Sequence, residues 1–345
     1  MRNIYIHCGF PKTGTSAIQV QVAKAREKIL DCGIDYLPIG NFDLGREGRI
    51  ASGNGAELAR AFLPPNHADS LAAQKPKIVQ NTSKALNSTK HDVLLSSEFF
   101  AAIPAKFLSD LVAYLSDFGR LILIYFVRDQ IDIMSAIYMQ RVKRHGLCDL
   151  PGKYYSNWDS YKNSLDYYQR LKAISLTCPE VELRVCAYEQ SKDHPLGISG
   201  LLFEQMGVQV PKEVLSDTVS INTSPSTQEL LLLLKLNRHN PRMHFSDMIV
   251  EASVKAGRST PYSKHNILPP ELRRSIFSYF SESNKLLFEE FIHSENIYNS
   301  FDDSAPYIDL SVLNLDANEI FDILSSVMVE IDKRVARLEV KVQKH

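Results

Sequence analysis

Residues 3–19, "NIYIHCGFPKTGTSAIQ", restrict the fold more than any other stretch of the chain. The apolar run 3–9 predicts a strand that ends at Gly9, and residues 13–33 have the apolar spacing of a helix. A strand that passes through a glycine-containing turn into a helix forms an anion site, because the first N–H groups of the helix point outward and its dipole favours negative charge. We therefore expect the turn at 9–16 to hold a phosphate-like group.

The turn differs from the magnesium-nucleotide pattern G-x-x-x-x-G-K-[ST] in the place of its lysine. Gly9 and Gly14 have the spacing of that pattern. Thr15 stands where the lysine belongs, and Lys12 lies inside the turn instead. Enzymes that use magnesium nucleotides also need an acidic residue for the metal, whereas the strand in "LILIYFVRD" is followed first by Arg128. The pattern favours a phosphate site without a metal, and a plain strand-to-helix turn capped by Thr and Ser is the alternative. The candidate phosphate ligands are Lys12, Thr13, Gly14, Thr15 and Ser16.

Short apolar runs alternate with helical patterns along the first half of the chain. Further strands are predicted at 33–40, 92–100, 120–129 and 181–190. Strands that alternate with helices indicate a three-layer α/β fold, in which helices cover both faces of a central parallel sheet. Ligands of such sheets bind at the carboxyl ends of the strands. The turn, Glu98 and Arg128 all lie just past predicted strand ends, so we expect them to share one site.

Composition and charge exclude several partner classes. The chain has 345 residues and a net charge of −1, so no overall field attracts nucleic acid or an anionic membrane. Its five cysteines are scattered, without a C-x-x-C pair, which argues against a disulfide framework or a zinc site. The amino terminus has no apolar core of the kind found in signal peptides. We therefore expect a cytoplasmic protein that binds no nucleic acid, does not insert into membranes and holds no metal.

A second pattern for binding an anion follows the predicted strand at 120–129. "YFVRDQIDIMSAIY" places Arg128 at the strand end and Ser135 two helical turns later. Together with "GFPKTGTS", this segment resembles the sulfotransferases that use 3′-phosphoadenosine 5′-phosphosulfate (PAPS). The resemblance implies that the turn holds the 5′-phosphosulfate and that Arg128 and Ser135 hold the 3′-phosphate. Ser135 follows Arg128 one residue sooner than is usual in the family, and Ala136 has the usual place.

The resemblance extends to residues 254–291, where "VKAGRSTPYSKHNILPP" looks like the K-G-R…P loop of glycan sulfotransferases. It implies a cofactor contact for Arg258. It also implies a P-loop NTPase-like fold, PAPS as the sulfuryl donor, and a hydroxyl or amine acceptor on a carbohydrate or small molecule. A kinase-like NTP enzyme of P-loop type and a non-catalytic nucleotide-binding or interaction module remain the alternatives.

Transfer of a sulfuryl group to a hydroxyl requires a base for the acceptor proton and a positive charge near the leaving phosphate. We assign the positive charge to Lys12. Glu98 is the candidate base, because it follows a buried strand near the turn. The alternatives for Glu98 are that it caps the next helix or pairs with a surface lysine. His7 is a rival base, although a histidine inside a strand is more typical of a packed side chain.

The carboxyl-terminal stretch is predicted to be a helical extension, residues 301–345, attached to a sulfotransferase domain at 1–300. Its apolar residues recur at spacings near three and four, as in an amphipathic helix with a partly heptad-like stripe. The helix could form a homodimer or dock on the preceding domain, and fewer than four clean heptads leave both possibilities open. The residues of this stripe are Ile320, Leu324, Val327, Ile331, Leu338 and Val342.

Overall fold

The computed structural model describes residues 1–49, 52–215, 224–239, 246–256, 266–301 and 306–342. The chain forms two compact units. The first unit is built from Met1–Asp129, Asn163–Ile221 and Phe280–Ser300. The second unit is built from Gln130–Lys162, Asn222–Tyr279 and Phe301–His345. One division between the units falls at residue 300, where the sequence placed the domain boundary, but 1–300 as a single domain remains a prediction.

The strands of the first unit are β1 (Asn3–Gly9), β2 (Ile34–Tyr36), β3 (Asp92–Ser97), β4 (Arg120–Val127) and β5 (Glu182–Ala187). The helices that precede β4 are α1 (Thr15–Lys24), α2 (Arg26–Asp31), α3 (Phe42–Arg46), α4 (Ala56–Ala61), α5 (Lys75–Asn87), α6 (Glu98–Ala102) and α7 (Ala105–Ser116). Those that follow β4 are α8 (Gln130–His145), α9 (Pro151–Tyr154), α10 (Lys162–Leu165), α11 (Tyr167–Thr177), α12 (Gly197–Met206), α13 (Thr227–His239), α14 (Ser246–Lys255), α15 (Pro270–Leu287) and α16 (Ala317–Val342). Short 3₁₀ turns occupy Ala72–Gln74, Trp158–Tyr161, Tyr188–Lys192 and Lys212–Val214, and a π-helical turn, Phe288–Ile292, follows α15.

The first unit contains a five-stranded sheet in the order β2-β3-β1-β4-β5, and every pair of neighbours is parallel. Strand β4 is buried on both faces because its residues are apolar in both alternating sets. On one face, Ile122 and Ile124 belong to a core that includes Ile18 of α1 and Leu202 of α12. On the other face, α7 packs against β4 and α11 packs against α7. The predicted three-layer α/β class with a central parallel sheet is therefore confirmed.

The predicted helix at 13–33 is wrong in one respect, because the structure divides it at Ala25 into α1 and α2. The change of direction brings the Arg26 guanidinium to the edge of the sheet, where Nη2 lies 2.7 Å from the Asp35 carboxylate and Nε donates to the Tyr36 carbonyl at 3.0 Å. Asp35 is buried, so this ion pair satisfies a charge that would otherwise be costly to bury. The contact between Arg26 and Asp35, which are nine residues apart in the sequence, thus outweighs the tendency of this stretch to continue as one helix.

The second unit is helical in its described part. Helix α13 packs against α8, and Nδ2 of Asn237 on α13 donates to the Val142 carbonyl at 2.8 Å and to the Leu147 carbonyl at 2.9 Å. Helix α16 packs against α14 and α13. The predicted carboxyl-terminal helix is therefore present. Among the described helices, none combines the length and the apolar character that crossing a membrane requires.

Candidate functional site

The site is set by the order of the strands. The chain leaves β1 toward β2 on one side of the sheet and leaves β4 toward β5 on the other side. The carboxyl ends of β1 and β4 therefore flank a topological switch point, which is where α/β sheets bind ligands. Residues 10–14 follow β1 and Arg128 follows β4. We call residues 9–16 the β1–α1 loop.

The β1–α1 loop has a backbone that few residues adopt. Lys12 has φ 66° and Gly14 has φ 78°, both in the left-handed region. For a lysine this conformation is unfavourable by about 1 kcal/mol, and such strain is concentrated at functional sites. Thr13 is fully buried, and its hydroxyl donates to the Phe10 carbonyl at 2.6 Å. The Thr13 side chain therefore holds the loop in shape, and its hydroxyl proton is not available to a ligand.

At both glycines of the loop, a side chain would come very close to a neighbouring residue. A Cβ on Gly9 would collide with Oγ1 of the buried Thr15, so a larger residue here would require the Thr15 side chain to move. A Cβ on Gly14 would lie 3.2 Å from the Tyr188 ring, in addition to the strain of positive φ. Gly14 is also the N-cap of α1, whose first turn contains no acidic residue and no side-chain cap. The first N–H groups of α1 have no partner within the helix, which leaves them available for an anion.

Thr15 and Ser16 begin α1. The Thr15 hydroxyl is buried against Gly9 and has no hydrogen-bond partner among the described residues, whereas Ser16 is half-buried. An oxygen of a phosphate group could accept a hydrogen bond from this buried hydroxyl and from the N–H groups at the start of α1. The residues of the loop therefore fit an anionic group.

Arg128 lies against the β1–α1 loop. Its Nη1 donates to the Lys12 carbonyl at 2.9 Å, and its guanidinium carbon is 5.0 Å from the centre of the Tyr188 ring. The Arg128 carbonyl accepts from the Tyr167 hydroxyl at 3.0 Å. Arg128 thus supports the strained loop directly, in addition to any ligand it contacts.

The other predicted contacts of the 3′-phosphate are Ser135 and Arg258. Ser135 is half-buried on α8, which belongs to the second unit. Arg258 lies outside the described residues. Their roles remain predictions.

Glu98 is the first residue of α6, directly after β3. The cap of α6 is Ser97, whose Oγ accepts from the Phe99 N–H at 3.2 Å, so Glu98 is not needed as the cap. The Glu98 side chain has an exposed surface. Desolvation by the surrounding protein nevertheless raises the pKa of its carboxyl, while the Lys12 ammonium lowers it and Asp69 adds to the rise. Lys12 and Glu98 therefore influence each other electrostatically, and Glu98 retains a proton more readily than an ordinary glutamate.

His7 is fully buried in β1. Its Nδ1 is hydrogen-bonded to the Ser96 hydroxyl at 2.8 Å, and its ring meets Phe126 edge-on with centroids 5.4 Å apart. Burial lowers the pKa of His7 to about 3, so the ring is neutral near neutral pH. These contacts favour the packed histidine over the rival base.

The buried His7 should make the protein less stable in mild acid. In the unfolded chain a histidine takes up a proton near pH 6.5, whereas folded His7 takes one up only near its lowered pKa of about 3. The unfolded state therefore binds more protons between these values, and about 2 kcal/mol of stability is lost between pH 7 and pH 5. Urea unfolding at both pH values checks this. His7→Gln should reduce the loss and His91→Gln, at an exposed position, should not; equal losses in His7→Gln and the wild type would contradict the argument.

The sequence analysis missed the residues after β5. Tyr188 packs on both Gly14 and Arg128. Glu189 accepts from the Asp129 N–H at 3.4 Å and from the Tyr298 hydroxyl at 2.5 Å. The sequence does indicate these residues by their position. "AYEQ" stands at the carboxyl end of the predicted strand 181–190, and the carboxyl ends of parallel strands lie at the same edge of the sheet as the β1–α1 loop. Among the described residues, no group of three or more His, Cys, Asp or Glu is arranged to hold a metal.

The solved structures similar to this chain include the following three. A sulfotransferase from Alicyclobacillus acidocaldarius is 12% identical, with a TM-score of 0.45 over 87% of this chain and 100% of that one. The sulfotransferase domain from the curacin biosynthetic pathway is 14% identical, with a TM-score of 0.41 over 86% and 99%. Retinol dehydratase, in complex with androsterone and the inactive cofactor PAP, is 12% identical, with a TM-score of 0.38 over 84% and 82%. No protein-family model matches the sequence, and no match was found among curated proteins. The structures to which the chain is similar thus include two sulfotransferases.

Proposed function

We propose that this protein is a sulfotransferase that moves a sulfuryl group from PAPS to a hydroxyl or amine of a carbohydrate or small molecule. The observation that carries the proposal is the pairing of Lys12, in a strained anion-binding loop, with Glu98, a carboxyl whose pKa is raised and which Lys12 affects. A cation for a leaving phosphate and a base for an acceptor proton are the two groups that this reaction needs.

The donor would bind with its 5′-phosphosulfate at the β1–α1 loop. The first backbone amides of α1 would donate to its oxygens, with Ser16 adding a hydroxyl and Lys12 a positive charge. Arg128, Ser135 and Arg258 are proposed for the 3′-phosphate. Arg128 donates a hydrogen bond to the Lys12 carbonyl. Binding of the 3′-phosphate by Arg128 would therefore be coupled to the shape of the β1–α1 loop, where the 5′-phosphosulfate binds.

The proposed reaction is a single in-line displacement at sulfur. The Glu98 carboxylate accepts the proton of the acceptor hydroxyl, and the acceptor oxygen forms a bond to sulfur as the bond between sulfur and the bridging phosphate oxygen breaks. PAPS supplies the sulfuryl group and leaves as 3′-phosphoadenosine 5′-phosphate. Lys12 stabilises the negative charge that develops on the bridging oxygen. Desolvation raises the pKa of the Glu98 carboxyl, which makes its carboxylate a stronger base than that of an ordinary glutamate.

Calorimetric titration of the full chain separates this proposal from its competitors. We expect 3′-phosphoadenosine 5′-phosphate to bind equally well with and without Mg²⁺, and ATP with Mg²⁺ to bind much more weakly. The reverse order would favour a kinase-like NTP enzyme and contradict the proposal. A panel of hydroxyl and amine acceptors with labelled PAPS then tests turnover; tight binding of the nucleotide with no transfer to any acceptor would favour a non-catalytic module.

A further inference from the structure

Helix α16 uses one face to pack on its own unit. Ile323, Val327 and Glu330 are buried, and Nη2 of Arg334 lies 3.4 Å from the carboxylate of Glu251 on α14. This face accounts for the contacts of α16 with α14 and α13. It also means that the helix is already formed before any partner binds.

A second face of α16 is apolar and exposed. Its six large side chains are between 44% and 72% exposed. Their spacings are three, four, three, four and three residues, which is the a/d pattern of a coiled coil. We call this face the outer stripe, and its residues are Phe321, Leu324, Met328, Ile331, Val335 and Leu338. It spans about 26 Å of helix at 1.5 Å per residue.

We propose that the outer stripe pairs with the same stripe of a second copy of this chain, as a parallel two-stranded coiled coil. In the heptad set by the stripe, Arg334 is at position g and Glu339 at position e. In a parallel pair, g of one helix meets e of the next heptad in the other, so Arg334 of each copy faces Glu339 of the other. In an antiparallel pair, e positions of one helix would instead meet e positions of the other, so Asp332 and Glu339, both at e positions, would not meet Arg334. The charges therefore favour the parallel arrangement.

Three residues of the stripe match the pattern of two-stranded coiled coils. Val335 is β-branched at an a position, and Leu324 and Leu338 are at d positions, a combination that favours parallel dimers. Phe321 and Met328 at the other a positions and Ile331 at the remaining d position do not follow this pattern. A stripe of this length is short for a coiled coil whose peptides must fold into helices as they associate. Packing on α14 and α13 holds the helix in place, so association does not have to form it, and preorganisation of this kind reduces the cost of binding.

A lipid surface fits the same stripe less well. Amphipathic helices that bind membranes carry lysine and arginine on the polar side of the apolar face. Among the described side chains on the polar side of the helix, the exposed cations Lys333 and Arg334 are outnumbered by the exposed acids Asp322, Asp332 and Glu339, which occupy b and e positions beside the outer stripe. These acids would be repelled by anionic headgroups, whereas a second copy offers Arg334 to one of them.

The mass of the full chain in solution tests the proposal. By analytical ultracentrifugation over a concentration series, we expect a reversible dimer for the wild type and a monomer for Met328→Glu. The matched control is Val329→Glu, because Val329 is the next residue, is 53% exposed and lies outside the stripe; it should dimerise like the wild type. A wild-type chain that stays monomeric, a Met328→Glu variant that still dimerises, or equal loss in both variants would overturn the proposal. Far-ultraviolet circular dichroism confirms that each variant is folded.

Oxidative cross-linking tests the orientation. In a parallel pair, the two copies of residue 338 face each other across a d position, so Leu338→Cys should form a covalent dimer that the wild type, with its own cysteines, does not form. Val329→Cys should not cross-link. A Leu338→Cys protein that dimerises without forming the disulfide would contradict the parallel arrangement. Binding of the wild type to anionic vesicles, lost in Met328→Glu, with no dimer in solution would assign the stripe to lipid instead.

Discussion

Replacement of Lys12 by alanine is expected to reduce the turnover of PAPS by about 10²–10³-fold, the usual effect of removing one group that stabilises a developing negative charge. Lys12 is the only cation that the β1–α1 loop itself supplies. Its left-handed backbone holds it inside the loop, between the end of β1 and the start of α1. Steady-state kinetics with labelled PAPS measure the effect.

The matched control is Lys24→Ala, at the exposed last residue of α1, which should keep wild-type turnover. Lys12→Gly provides a second test, because glycine adopts positive φ without strain. This variant should unfold in urea with a free energy about 1 kcal/mol higher than the wild type and yet be as inactive as Lys12→Ala. A Lys12→Ala protein with normal turnover would remove Lys12 from the mechanism.

Replacement of Glu98 by glutamine is expected to lower kcat by about 10²–10⁴-fold, the range that a general base contributes. Binding of 3′-phosphoadenosine 5′-phosphate should be nearly unchanged, because Glu98 is assigned to the acceptor and not to the donor. The control is Glu57→Gln, another exposed glutamate in the first turn of a short helix. A Glu98→Gln enzyme that remains active would make the assignment of the base wrong.

The pH dependence of turnover offers an independent test of Glu98. Its carboxyl accepts a proton only when it is ionised, and its pKa is raised above the ordinary value. Activity should therefore fall as the pH decreases through this raised pKa, at a higher pH than an ordinary glutamate would give. Folding disfavours the ionised form, so Glu98 opposes stability at neutral pH. The free energy of unfolding of Glu98→Gln at pH 7 should equal or exceed that of the wild type, which distinguishes lost chemistry from a lost fold.

Much of the first unit was predictable because its signals are local. The run 3–9 matches β1 residue for residue, and the strand at 120–129 differs from β4 only at its end. Glycines at positions 9 and 14 indicated a turn that the backbone then shows. These features depend on the apolar pattern and the conformational preferences of neighbouring residues, which the sequence contains directly.

The division of the predicted helix at 13–33 into α1 and α2 could not be predicted from neighbouring residues alone. It depends on Arg26, which pairs with Asp35 at the edge of the sheet. The periodic pattern of a helix carries no information about a partner in the following strand, so the prediction extended the helix through Ala25.

The order of strands and helices, the glycine-containing loop after β1 and the place of Lys12 within it could all be read from the sequence. Three features emerge only from the folded chain: Arg128 donates to the Lys12 carbonyl, His7 is neutral near neutral pH, and one face of α16 is covered while the other is exposed. This difference arises because patterns along the chain reflect only the short-range conformational preferences of the backbone. Hydrogen bonds between distant residues, desolvation of a carboxyl or imidazole, and the choice of a buried helix face depend on which parts of the chain meet in space.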